Sequence, residues 1–367
     1  MRDRTFYRSQ PRRAAQIPYR ALADLAAIAL MLILLAACTQ PASHASVAHG
    51  AQPSATAPPA SRPPITYGTT CAPAPADLAA PGPYPVGVTQ HTFANTSAIT
   101  GAPRPLPSVI WYPAAAPTRA TPVDPALDAV SGAPAASGCV FPVILFSHGF
   151  MASPQGASLL LSHLTSEGFV VVAPHHPDGQ EDGIIDYTTT AGSRPSDLSA
   201  VIDQLPRLDA DPTSPLHDLM DLRHIGVAGH SFGGLTAELA GVYDTRVQAV
   251  LSMAPGWCEC NKATTRIGVP IVVMVGDQDT VIWVSDVRLL YTYFPPTTPH
   301  ALIVLHGAGH GAFVNSCGGP PNTCAVVARY ATAFFLAFLA GNRPLAAAFD
   351  PSRPSPTGVT IQAGDMP

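Results

Sequence analysis

The fold class predicted by this sequence is α/β: a mostly parallel, doubly wound sheet flanked by helices. Short apolar runs rich in Val, Ile and Leu recur from residue 141 onward. They lack the strict polar alternation of a half-exposed sheet, and a parallel strand buried on both faces calls for such runs. Between them lie stretches with apolar residues at helical spacing, the kind of connection that parallel strands need. The 367 residues, 47% hydrophobic and only 12% charged, supply a large core for one such domain.

The elements follow in order. Val86 to Phe93 and Ser108 to Pro113 read as strands, ahead of a low-complexity surface loop over 114–138. The doubly wound part starts at Phe141. Val143-Ile144-Leu145-Phe146 is a buried strand, Gln155 to Glu167 a helix stopped by Gly168, and Phe169 to Ala173 the next strand. Residues 174–193 form a polar loop with His175, His176, Asp178, Glu181, Asp182 and Asp186, read as a solvated rim in preference to a metal site. A helix opening at Arg194 packs Leu198, Val201, Ile202 and Leu205 on one face. Ile225 to Ala228 is a strand and Leu235 to Ala240 a helix. Val247 to Met253, Val269 to Val275 and Ala301 to Leu305 complete the buried strands. A final apolar helix runs over 326–340, the domain covers 67–345, and 346–367 read as a C-terminal tail.

The strongest chemical signal is Gly229-His230-Ser231-Phe232-Gly233, where a strand turns sharply into a helix. Flanking glycines admit a tight turn without a Cβ clash, and the turn lifts the serine hydroxyl to the sheet edge. Serine is a weak nucleophile near neutral pH and needs a base within hydrogen-bond reach. His310, in Gly307-Ala308-Gly309-His310-Gly311, is the preferred base, with His306 at the strand end as its rival. A carboxylate must orient that base. Asp279 in Gly276-Asp277-Gln278-Asp279 is preferred to Asp277 because it lies farther into its loop. All three groups follow the carboxyl ends of strands, where open α/β sheets place their sites. Negative charge developing in acyl transfer needs hydrogen-bond donors. The backbone N–H of Phe232 is one. The other is that of Phe150, in Ser147-His148-Gly149-Phe150 after the first core strand, with His148 holding the loop by its ring nitrogens.

Together these segments resemble the α/β-hydrolase superfamily. More narrowly they are similar to its bacterial branch of platelet-activating-factor-acetylhydrolase-like esterases, dienelactone-hydrolase-like proteins and cutinase-like polyester hydrolases. The resemblance covers roughly residues 84–345. It implies a single catalytic domain and a metal-independent serine ester hydrolase that works through an acyl-enzyme intermediate without a cofactor. Ser231, Asp279 and His310 would form the triad, and Phe150 and Phe232 the oxyanion hole. Dienelactone hydrolases proper use a cysteine nucleophile, where this chain has Ser231. Trp257 lies near a tryptophan of the cutinase-like cleft and is either a substrate contact or a core residue. The segment after Asp279, Thr280-Val281-Ile282-Trp283, lacks the Ile-Ala-Pro usual in that branch, and Cys258-Glu259-Cys260 is an insertion. A carboxylesterase acting on short-acyl or small apolar esters is therefore the preferred reading. Polyester hydrolysis is the alternative, and a catalytically idle ligand-binding lipoprotein is a further one. A peptidase on the same scaffold would add a second domain or an anchor for a peptide terminus, and neither is evident.

Composition narrows the partners. Lys262 is the sole lysine and the formal net charge is −5, more negative once the arginine-rich leader is removed, which argues against nucleic acid. The expected partner is a small-molecule ester met by a monomer. Arg2, Arg4, Arg8, Arg12, Arg13 and Arg20 precede an apolar stretch, 25–37, too short for a comfortable membrane span and read as a secretory signal over 1–37. It ends in Leu35-Ala36-Ala37-Cys38, which resembles the lipobox of bacterial lipoproteins. The resemblance implies cleavage before Cys38 and lipidation of its thiol, so the membrane contact is an N-terminal lipid anchor on an exported cell-envelope protein. A secreted protein is the alternative. Residues 38–66, rich in Pro, Ala and Ser, read as a disordered tether. Six further cysteines suit an oxidising compartment. Cys317 with Cys324, across a Gly-Gly-Pro-Pro turn, is the best local disulfide pair. Cys71 with Cys139 and Cys258 with Cys260 follow by elimination. A zinc site at Cys258 and Cys260 lacks a second ligand pair at a usual spacing.

Overall fold

Alternation within the apolar runs sends successive side chains to opposite faces of a ten-stranded mixed sheet. The computed structural model describes residues 76–98, 100–115, 129–177 and 187–366, all within the unit Pro58–Pro367. The leader, Cys38, the tether, Cys71 and the acidic residues 178–186 lie outside the described residues. The strands are β1 (Val86–Thr96), β2 (Pro103–Pro113), β3 (Val130–Ser131), β4 (Phe141–Ser147), β5 (Val170–Pro174), β6 (Met220–His230), β7 (Val247–Met253), β8 (Ile271–Gly276), β9 (His300–Leu305) and β10 (Val359–Gly364). Their spatial order is β10-β9-β8-β7-β6-β4-β5-β2-β1-β3. The six strands from β5 to β9 across the middle pair in parallel, while β1, β2 and β10 run antiparallel to their main neighbours.

The α-helices are α1 (Ser158–Ser166), α2 (Tyr187–Ala210), α3 (Phe232–Tyr243), α4 (Val284–Tyr291) and α5 (Thr323–Phe338). One face of the sheet, with Ile144, Phe146, Val171, Leu251 and Ile303, packs against α1 and α5. The other, with Val143, Leu145, Val172, Val250 and Val273, packs against Leu198, Val201 and Leu205 of α2, and against α3 and α4. The two sets interleave residue by residue along β4, as period two demands. Among the described residues no helix is long and apolar enough to cross a membrane.

Three stretches differ from the sequence expectations. Helix α2 begins at Tyr187, not Arg194, and runs through Pro195. Proline favours a first helical turn but does not forbid an interior one when packing offsets the lost N–H bond. Within 114–138, read as a surface loop, Val130–Ser131 pairs with β1 and Ala135 bridges Ala114. The stretch 346–367, read as a tail, carries β10, whose six residues pair along β9. Strand β2 shows why proline did not prevent pairing. Pro103, Pro105 and Pro107 alternate, so their missing donors fall on one edge, and β5 pairs with β2 only from Ser108 onward.

Disulfides join Cys258 to Cys260 and Cys317 to Cys324, with Cα atoms 5.1 and 5.2 Å apart. Cys139 is also disulfide-bonded.

Two buried carboxyls give the fold a pH signature. Glu238 of α3 is fully buried and accepts hydrogen bonds from Ser252 Oγ at 2.7 Å and Asn261 Nδ2 at 3.2 Å. Burial outweighs those bonds and pushes its carboxyl up to about 8. Burial likewise pushes Glu167, after α1, up to about 8. Between the ordinary 4.5 and about 8 these groups hold more protons in the native chain than in the unfolded one, so stability falls as pH rises through that window. His230 acts in the opposite sense. Burial and the nearby His310 depress its imidazole to about 3, so stability falls as pH drops from 6.5 toward that value. Above the histidine window the melting temperature is therefore expected to decline from about pH 7 to about pH 9, and Glu238→Gln to flatten part of the decline. Thermal scans across that range check this; an identical slope in the variant would remove Glu238 as a source.

Candidate active site

Strand β6 passes into helix α3 at a single residue, Ser231. It sits at φ 57° and ψ −122°, a conformation that L-residues rarely adopt. Backbone bonds hold it there. Its N–H donates to the Met253 carbonyl of β7 at 2.8 Å, and its carbonyl accepts from Gly234 at 2.8 Å and Gly256 at 2.9 Å. A Cβ on Gly229 would stand 1.9 Å from the Gly233 carbonyl oxygen, and one on Gly233 would stand 1.9 Å from that of Ser147. Close approach, with backbone on both sides, excludes any side chain at either position. The turn thus rests on the end of β4, and Ser231 is half-buried at its apex.

The loop after β8 supplies the carboxylate. Asp279 is buried, and its Oδ1 accepts from the N–H groups of Val281 and Ile282, both at 2.8 Å. Its Oδ2 lies 2.8 Å from His310 Nδ1. An ionised carboxylate only accepts, so Nδ1 carries the proton and Nε2 presents a lone pair. His310 is in turn tied to the elbow. The His230 ring donates from Nε2 to the His310 carbonyl at 3.0 Å, and the two rings lie 4.6 Å apart. No hydrogen bond joins Ser231 Oγ to His310 among the described residues; the Asp–His link is formed and the Ser–His link is not. The Cys317–Cys324 bridge braces the same loop: neighbouring Gly318 accepts from Gly309 N–H and donates to the Gly311 carbonyl, both at 2.9 Å.

The rival residues pair with each other. His306 Nδ1 donates to Asp277 Oδ2 at 2.8 Å, and its Nε2 lies 2.7 Å from Thr360 Oγ1 of β10. Asp277 Oδ1 also accepts from Gly307 N–H at 2.8 Å. This dyad, with His306 exposed and Asp277 half-buried, fastens the β8 loop to the β9 loop.

On the other side, the rings of Phe150 and Phe232 meet edge to face with centroids 5.5 Å apart. His148 holds the Phe150 loop by both ring nitrogens, as expected. Nδ1 donates to the Gly149 carbonyl at 2.7 Å and Nε2 accepts from His176 N–H at 3.0 Å. Burial, then the Arg194 charge, lower its pKa well below the usual imidazole range, so the ring is neutral. Trp257 is half-buried on the turn after β7, packed against the α2–α4 side of the core with Tyr293 at 6.2 Å.

A buried polar network behind this loop escaped the sequence reading. Asp197 of α2 takes Arg104 Nε and Nη2 at 2.7 and 2.9 Å and His176 Nδ1 at 2.9 Å, and His176 Nε2 lies 3.0 Å from Ser147 Oγ. Burial raises the Asp197 pKa, but bonds from His176 and Arg104 hold it below the usual carboxylate range. His176 is therefore no part of a solvated rim: it is 1% exposed, because Asp197 and Ser147 satisfy both its nitrogens. Arg194 is likewise fully buried. A signal existed. Stepping the stripe Leu198, Val201, Leu205 back one helical turn lands on Arg194 and Asp197, which puts both charges on the buried face. Among the described residues no group of three or more His, Cys, Asp or Glu is arranged to hold a metal ion.

A family model described as PETase, PET hydrolase-like, matches residues 132–345, more than half of the chain. Cutinase est1 of Thermobifida alba is 28% identical over 173 residues, 46% of this chain and 53% of that protein. Cutinase cut1 of Thermobifida fusca is 27% identical over 173 residues, 46% and 49% of the two chains. Chlorophyllase type 0 of Chenopodium album is 31% identical over 106 residues, 27% and 28%. The chain spans about half the length of the cutinases it matches. The matched segment contains the elbow, the Asp279 loop and the His310 loop on a helix-flanked mixed sheet of α/β-hydrolase type, and the chain belongs to the PET hydrolase-like family.

Proposed function

We propose that this chain is a serine ester hydrolase acting on carboxylic esters with short acyl or small apolar groups. The observation that carries the reading is the Asp279–His310 pair at 2.8 Å, whose histidine is tied through its carbonyl to His230, the residue before the strained elbow at Ser231. His310 Nε2 takes the proton of Ser231 Oγ as Oγ bonds to the acyl carbon. Asp279 stabilises the imidazolium that forms. The N–H groups of Phe150 and Phe232 receive the negative charge on the carbonyl oxygen. Collapse breaks the ester C–O bond, and His310 returns the proton to the departing alcohol. Water, activated by the same imidazole, then releases the acid and restores the serine. Phe150 and Trp257 are the proposed apolar contacts.

A second reading, polyester hydrolysis, draws support from the matched family and from the cutinases. Exposed Met151, next to Phe150, and exposed Val281 and Trp283, just past Asp279, offer apolar surface suited to a bulky chain. Export and lipidation at Cys38 belong to the same proposal.

A fluorophosphonate probe is expected to label the protein and to lose its target in Ser231→Ala. Unlabelled wild type would favour the idle binding lipoprotein. His310→Ala should cut kcat by about 10⁴-fold or more, as loss of a triad member does. His306→Ala should chiefly lower the melting temperature; the reverse pattern would exchange the two histidines. On p-nitrophenyl esters of increasing length, kcat/KM is expected to peak at short acyl chains. A peak at long chains, or rapid release of soluble products from PET film, would favour the polyester reading. Cys38→Ala is expected to move the protein from the membrane to the soluble fraction, and a variant that stays membrane-bound would remove the lipid anchor.

A further inference from the structure

We propose that Arg194 is the positioning residue of the oxyanion hole, aiming the Phe150 N–H by gripping the backbone carbonyls behind it. The proposal rests on the hydrolase reading above. Arg194 lies on α2, fully buried, directly behind the loop that follows β4. Its Nη2 donates to the Gly149 carbonyl at 3.1 Å, and its Nη1 donates to the His148 carbonyl at 2.5 Å and approaches Ser147 Oγ at 3.4 Å.

The geometry of the peptide unit turns that grip into an orientation. In a trans peptide the C=O and N–H of one plane point in opposite directions. The Gly149 carbonyl and the Phe150 N–H share a plane. Holding the carbonyl toward Arg194 therefore directs the N–H away from it. Gly149 is close enough for this to matter, since a Cβ there would lie 3.6 Å from Ser231 Cβ. A glycine at this point would otherwise leave the plane freer to rotate than any other residue. His148 Nδ1 donates to the same Gly149 carbonyl at 2.7 Å and the Ala152 N–H does so at 3.2 Å, so Arg194 is one of three donors that hold that oxygen.

The same guanidinium reaches the second donor residue. Its Cζ lies 4.7 Å from the centroid of the Phe232 ring, which in turn meets the Phe150 ring. The cation lies over the Phe232 ring and that ring meets Phe150 edge to face, so a single buried group orders both residues whose N–H groups would face the oxyanion. A planar fork with several donors can hold two adjacent carbonyls and lie on an aromatic face at once. A lysine ammonium cannot do so. The positive charge behind the loop also favours negative charge in front of it.

Arg194→Lys and Arg194→Met test this, with folding checked by circular dichroism and melting temperature. Substrates are a short p-nitrophenyl ester and its thiono analogue, whose sulfur is a poor hydrogen-bond acceptor. Removing an oxyanion donor outright costs about 10²–10³ in kcat, so misaiming one is expected to cost about 10- to 100-fold, with KM within about twofold of wild type. The preference for the oxo over the thiono ester should narrow by a similar factor, a change that loss of stability alone would not produce. If Arg194→Met does not fold, Arg194→Lys, which keeps the charge and most of the volume, decides. Folded variants with wild-type kcat and wild-type thiono discrimination overturn the role of Arg194. A wild type with neither ester turnover nor probe labelling at Ser231 overturns the hydrolase reading instead.

Discussion

The close contact between the end of β4 and the first turn of α3 is the constraint on which the rest of the site depends. Gly233 lies against the Ser147 carbonyl and Gly229 against Gly233, with no room for a single carbon atom at either place. That proximity sets the angle at which β6 becomes α3 and holds Ser231 in an unfavourable backbone conformation. The strain persists because β7 over-determines it. Met253 takes the Ser231 N–H, and the turn that follows β7 returns a bond from Gly256. The loop carrying Phe150 leaves β4 at Ser147, the residue that Gly233 touches. Ser231 and the Phe150 loop are thus set by one contact.

The sheet's far half uses polar chemistry for two separate purposes. Asp277 and His306 sit one step from the strand ends, the histidine exposed and the carboxylate half-buried, and join the two loops to each other and to β10. Asp279 and His310 sit two to four residues farther on, where the loops have turned inward, and there the carboxylate is buried. The same pair of residue types braces two loops in one place and forms a part-buried ion pair in the other. Only the depth within the loop distinguishes them. A disulfide at Cys317 then limits how far the His310 loop can relax.

Behind the Phe150 loop, a chain with few charges commits several of them to the interior. Arg104, Asp197, His176 and Arg194 are all buried, and they bond to β4 and its loop, to one another, to the Phe232 ring and, through Asp197, to Asn95 of β1. Burying charges costs several kcal/mol per ion unless they are paired and hydrogen-bonded. Such a network adds little net stability over an apolar core, and here it ties β2 and α2 to β4 and the Phe150 loop. Glu238 plays a related part on the other side of α3, where Ser252 and Asn261 tie it to β7 and to the disulfide turn after Trp257.

Chain order was enough to identify the buried strands, the helices between them and the loops bearing Ser231, Asp279 and His310. These follow from periodicity and glycine placement, which act over a few residues. Expectation and structure parted where partners distant in sequence decide the outcome. Residues 359–364 look like a polar tail in isolation and become a strand because β9 offers an unpaired edge. Pro195 reads as a helix start until the packing of α2 carries the helix through it. His176 looks solvated until Asp197, 21 residues later, reaches its Nδ1. Local sequence selects which side chains are available at the strand ends. Folding alone decides which histidine meets which aspartate and which carbonyls meet Arg194, because side-chain hydrogen bonds are satisfied in space and leave no trace in spacing along the chain.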